Sequence, residues 1–159
     1  MRLPPFQLLI DDHGDAVLRY LRAAVGSQDA EDCWQDTMLS ALRAYPSLRD
    51  ARNLRGWLLR IAHNTAIDLH RASGRRALPM AEPPEPAVED RPAVEPELWQ
   101  AVRRLPDKQR AAVALRFAGD LDYRAIGTVI DCSEAAARQN VRAGLAAVRR
   151  EWGHARATT

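Results

Sequence analysis

GWLLRIAHNTAIDLHRASGRR, residues 56–76, is the stretch around which the chain is organised. It opens apolar, with Trp57, Leu58, Leu59 and Ile61, and closes basic, with Arg71, Arg75 and Arg76. Short hydrogen-bonding side chains lie between: His63, Asn64, Thr65 and Asp68. At helical spacing Leu54, Trp57, Leu58, Ile61, Thr65 and Leu69 share one face, and Arg60, Asn64, Asp68 and Arg71 share another. One side can anchor in a core while the other offers amide and guanidinium groups. Such groups hold a nucleic-acid backbone and read an exposed base. The spacing predicts a long helix with a break near Asn64 and a stop at Ser73-Gly74.

Upstream, apolar residues recur at helical spacing over residues 6–25, with a break expected at Gly14 and an end at Gly26. The next helix, capped by Ser27 or Asp29, runs to about Tyr45 and halts at Pro46. Cys33, Thr37, Ala41 and Tyr45 form its inner stripe, flanked by Trp34, Met38 and Leu42. Asp32, Gln35, Asp36 and Arg43 are left for solvent or a partner.

Downstream, residues 77–97 hold six of the ten prolines, with one basic and six acidic residues. Prolines at this density disfavour helix and sheet, so the segment reads as a stiff acidic linker reaching roughly 70 Å when extended. Residues 1–76 carry 11 basic and 9 acidic side chains, and residues 98–159 carry 11 and 6. Two mildly basic lobes therefore flank an acidic connector, and the second lobe points toward an anionic partner.

The second lobe has helical patterns over residues 97–105, 107–118, 122–129 and 133–152. The last two read as a helix-turn-helix. Ser133 is a good N-cap, and Glu134 follows in the first turn. Ala137, Val141, Leu145, Val148 and Trp152 mark the packed face of the long helix, while Ala135, Arg138, Gln139 and Arg142 face away from its N-terminal half. That half enters the major groove in such domains, where Arg pairs with guanine and Gln with adenine.

The fold class expected is all-α: two small helical domains, residues 1–76 and 98–159, joined by the Pro-rich linker. Apolar content of 47% supports a core, and aromatic content of 6% suits helical packing over a β-sandwich. No apolar run approaches a membrane span, and the N-terminus lacks a signal-peptide layout, so a cytoplasmic protein without direct membrane insertion is expected. Cys33 and Cys132 are expected as free thiols. His13, His63, His70 and His154 lack metal-ligand spacing with either cysteine. No P-loop or dinucleotide fingerprint is present. The chain reads as a binding module with no cofactor, no catalytic residues of its own and no small-molecule substrate.

Both lobes together resemble the bacterial RNA polymerase sigma factors of the sigma-70 family, in the two-domain extracytoplasmic-function group. The residues that carry the resemblance are DAEDCWQDTMLSALRAY (29–45), the opening stretch (56–76), and LPDKQRAAVALRFAGDLDYRAIGTVIDCSEAAARQNVRAGLAAVR (105–149). The resemblance covers residues 6–76 and 98–152. It implies that the first lobe docks on core RNA polymerase and captures the melted minus-ten strand, and that the second reads the minus-thirty-five duplex. It makes Asp32, Gln35, Asp36 and Arg43 the polymerase-docking residues.

The resemblance further implies that Arg60, Asn64, Thr65, Ala66, Arg71, Arg75 and Arg76 hold minus-ten DNA. The backbone near residues 64–66 would leave the helix to cup a flipped base, with Asn64 as its reader. Ser133, Arg138, Gln139 and Arg142 would contact minus-thirty-five DNA. Three departures bear on this last site. Asp131 stands at the turn where the family commonly has Gly, Arg124-Ala125 follow the Tyr, and Arg138-Gln139-Asn140 replace a Lys-Ser-Arg type run. Asp tolerates left-handed backbone, so the turn can survive. An anti-sigma factor is the expected regulator. A stand-alone helix-turn-helix regulator is the competing reading; it would need no docking helix and would pair half-sites as a dimer.

Overall fold

The computed structural model describes residues 2–76 and 97–157. Among them every regular element is helical: α1 (Phe6–Val25), α2 (Ser27–Ala44), a 3₁₀ turn (Tyr45–Ser47), α3 (Leu54–Arg76), α4 (Glu97–Arg103), α5 (Asp107–Phe117), α6 (Tyr123–Ile130) and α7 (Glu134–Ala157). The acidic linker lies outside the described residues.

The first lobe packs α1, α2 and α3 on one another, and the second packs α4, α5 and α6 around α7. Leu9, Val17, Tyr20 and Leu21 of α1 meet Cys33, Met38 and Ala41 of α2 and Leu58, Leu59 and Ala62 of α3 in a buried core. Each large side chain so buried contributes about 1.5–3 kcal/mol. Gly26 separates α1 from α2 with φ of +89°, a conformation open to glycine, and its N–H closes the end of α1 on the Arg22 carbonyl at 3.0 Å.

Two breaks expected from the sequence are absent. α1 runs unbroken through Gly14. The glycine there is a contact device: the Trp34 indole of α2 donates to the Gly14 carbonyl at 3.0 Å, and a Cβ at Gly14 would stand 3.5 Å from that ring. α3 likewise continues through Asn64 and past Ser73-Gly74 to Arg76. Thr65 stays helical by donating back to the Ile61 carbonyl at 3.0 Å. The fully buried Thr37 donates to the Cys33 carbonyl at 2.7 Å, and its hydroxyl lies 3.3 Å from that of Thr65. The start of α3 is set by Asn53, whose side chain accepts from the Gly56 N–H at 2.9 Å.

The lobes are not held apart. α3 packs on α6, and α1 packs on α4 and α5. The first-lobe core continues into Ala111, Leu115, Ala118, Leu121, Ile126 and Ile130 of the second. At the edge of this seam Arg55 lies 3.7 Å from Asp120, an exposed pair that adds little. A smaller cluster of Ala101, Val102, Leu105, Val113 and Val148 joins α4, α5 and α7 within the second lobe.

Candidate nucleic-acid and protein interfaces

Three surfaces carry the residues singled out from the sequence. On α2, Asp32, Gln35, Asp36 and Arg43 are all exposed and fall at i, i+3, i+4 and i+11, one face of the helix. Leu39 and Leu42 sit on the same face, 52% and 51% exposed. Leu42 was expected beside the inner stripe and is instead outside. The inner positions are filled by Cys33, Thr37, Met38 and Ala41, and a stripe this narrow leaves no room for it. Neither leucine was assigned to the docking surface from sequence, although both follow Asp32 and Gln35 by whole turns. Two exposed leucines therefore lie beside two carboxylates on this face.

The second surface is the outer edge of α3. Arg60, Asn64, Asp68 and Arg71 are exposed and in line. Thr65 and Ala66 are not part of it. Thr65 turns toward Thr37, and Ala66 is 3% exposed in the core. In an unbroken helix, residues one and two steps beyond Asn64 rotate away from its face, which is why the two expected DNA contacts lie inward in the free chain. Arg75 and Arg76 close α3, and their side chains lie outside the described residues. Trp57 is half-buried against Tyr45, with ring centroids 6.0 Å apart, so it serves as scaffold. Tyr45 in turn donates to the Pro4 carbonyl, tying the N-terminal segment to this end of the lobe.

The third surface is the turn between α6 and α7. Asp122 caps α6 by accepting from the Ala125 N–H at 2.8 Å, and Ser133 caps α7 by accepting from the Ala136 N–H at 3.0 Å. Asp131 takes the left-handed conformation, φ 59° and ψ 54°, so the turn forms without glycine. The tight point is Gly127, where a Cβ would come within 2.6 Å of the Cys132 carbonyl oxygen. Arg138, Gln139 and Arg142 are exposed on the first two turns of α7. Arg138 lies over the Tyr123 ring at 5.0 Å and reaches Glu134 at 3.7 Å. Arg116 lies over the same ring at 4.6 Å. Two guanidiniums thus flank one tyrosine ring at the start of α7, which concentrates positive charge there.

Buried polar groups lie behind these surfaces, within the core. His63 of α3 is held neutral, its pKa pushed down to about 4 by burial and then by the nearby Arg110 charge. Burial also raises the Tyr20 hydroxyl, and it raises the Cys33 thiol to about 11, helped by Asp29, Asp36 and Asp32. Cys33 is therefore an inert core thiol.

Comparison with known proteins gives two family matches: Sigma-70 region 2 over residues 9–76, and Sigma-70 region 4 over residues 96–148. The chain is 30% identical to the RNA polymerase sigma-H factor of Pseudomonas aeruginosa, over 86% of this chain and 80% of that one. It is also 30% identical to the ECF RNA polymerase sigma factor SigE of Mycolicibacterium smegmatis, over 89% of this chain but only 59% of that longer protein. Among solved structures, the sigma factor RpoE of Bartonella quintana, in complex with the anti-sigma factor NepR, superposes with a TM-score of 0.74 at 20% identity. That match covers 93% of this chain and 96% of the other, and it shares the fold.

Proposed function

Because this chain belongs to the sigma-70 family of RNA polymerase sigma factors, in its extracytoplasmic-function group, we propose that it binds core RNA polymerase in the cytoplasm and directs promoter recognition, melting and initiation. The supporting observation is the presence, in one chain, of all three surfaces: an apolar–acidic face on α2, a polar edge on α3, and a capped helix-turn-helix with exposed arginines. A repressor would need only the last.

Asp32, Gln35, Asp36 and Arg43, with Leu39 and Leu42, dock on the polymerase. The leucines bury apolar area and the charges fix orientation. Asn64 reads a base of the melted minus-ten strand, because one amide both donates and accepts on a Watson–Crick edge. Arg60 and Arg71, continued by Arg75 and Arg76, grip its backbone. In the second lobe Ser133, Arg138, Gln139 and Arg142 contact the minus-thirty-five duplex, the arginines suited to guanine and the glutamine to adenine. The catalytic centre belongs to the polymerase. A relative of the same fold was solved with an anti-sigma factor, and a protein of that kind is the regulator proposed for this chain.

The test is reconstitution with core polymerase. The chain should co-elute with core from a sizing column as an equimolar complex, and the complex should retain promoter DNA that core alone releases. A chain that binds promoter DNA but never core would be a stand-alone regulator.

A further inference from the structure

A cavity of about 460 Å³ opens on the seam between the lobes. Tyr20 of α1, His63, His70 and Arg71 of α3, and Lys108 and Arg110 of α5 supply its polar lining. Ala66, Ala111 and Ile130 supply apolar walls. The volume lies within the range of small-molecule pockets, and the walls come from both lobes.

The charge of the site is one-sided. Three cations face it, and Asp107 is the one carboxylate in the lining. That carboxylate is engaged, since Arg110 donates to it at 2.8 Å. The Nε2 atom of His70 is buried and has no hydrogen-bond partner among the described residues. Both imidazoles are pushed toward the neutral form, first by burial and then by Arg110. Asp107 opposes this at both rings, and Asp29 and the Ala24 backbone oppose it at His70.

We propose that this seam cavity binds a small organic oxyanion, a carboxylate, sulfonate or phosphate on a compact apolar body, and that its occupancy holds the two lobes together. The apolar walls take the body. Arg71 and Lys108 take the oxyanion. A ligand touching α3 and α5 at once binds the closed arrangement and loses half its contacts when the lobes part, so it shifts the balance toward the closed state. Binding needs neither polymerase nor promoter, so its failure would leave the promoter reading untouched.

The probe is 1-anilinonaphthalene-8-sulfonate, titrated by fluorescence into the full chain. One saturable site is expected, weakened about fivefold by Lys108→Gln, which removes one exposed charge at the rim. Arg110→Gln should weaken it similarly. A Leu39→Ser/Leu42→Ser variant, which removes the exposed apolar face of α2, should bind as the parent does. Hydrogen exchange should show added protection in both α3 (residues 61–70) and α5 when the probe is bound. Absent saturation, or binding lost in the leucine variant and unchanged in Lys108→Gln, overturns the site. Protection confined to one lobe overturns the clamp.

Discussion

The Tyr20 hydroxyl of α1 lies 3.3 Å from Nδ1 of His63 on α3, inside a core where Tyr20 has no exposed surface. An unfolded histidine takes up a proton near pH 6.5. His63 in the folded chain does so only at about 4. Between those values the unfolded state holds more protons, so stability is full above pH 6.5 and is lost as pH falls. Acidifying from pH 7 to 5 should cost about 2 kcal/mol through this residue. His13 and His70, also lowered, add in the same direction. Urea unfolding at the two pH values should show the loss, and His63→Gln should reduce it; an unchanged pH dependence in that variant would reject the assignment.

Gly127 and Gly153 make opposite predictions. A Cβ at Gly127 meets the Cys132 backbone oxygen at 2.6 Å, and one at Gly153 meets nothing within 4 Å. Gly127→Ala should therefore force the α6–α7 turn apart at a cost of about 2 kcal/mol or more. Gly153→Ala, in an exposed part of α7, should be neutral or stabilise by up to about 1 kcal/mol. Thermal melts of the two variants check this, and equal effects would contradict the packing described.

On α2, Leu39→Ser/Leu42→Ser should leave the melting temperature nearly unchanged, because both side chains are half exposed. Affinity for core polymerase should fall at least tenfold, as expected for an anchor of an interface. Asp36→Ala should slow association more than it speeds dissociation. Full affinity in the leucine variant would move docking off this face.

Asn64→Ala should leave core binding intact while impairing open-complex formation. Permanganate reactivity of melted thymines reads the second property, and a pull-down on core reads the first. Loss of core binding would show that Asn64 belongs to the docking surface.

Arg138→Ala and Arg142→Ala should each weaken duplex binding by about 1–3 kcal/mol and relax discrimination at one base position if they read bases. A uniform loss across sequences, with a shallower salt dependence, would instead make them phosphate contacts.

Much of this was legible in the sequence because it rests on helical period. The i, i+4 spacing of Arg60, Asn64 and Asp68 put them on one face, and i, i+3 and i, i+4 spacing set Asp32 beside Gln35 and Asp36. Ser133 caps because a short hydroxyl before an apolar run does so locally. Three features were not legible, each because a distant contact overrides a local signal. Gly14 looks like a break, yet Trp34, twenty residues on, uses it as a seat. Thr65 and Ala66 looked as exposed as Asn64, yet Thr65 turns to Thr37 and Ala66 is buried. The seam itself depends on small residues such as Ala62, Ala66, Ala111 and Ala118, which look the same in sequence whether they face a neighbouring helix or another lobe.

Run-off transcription decides whether the chain directs initiation. Core polymerase, the purified chain and a library of promoter fragments should yield discrete transcripts that neither core alone nor the Asn64→Ala protein produces. If core bound to the parent chain gives no transcript above core alone on any fragment, the chain is not an initiation factor.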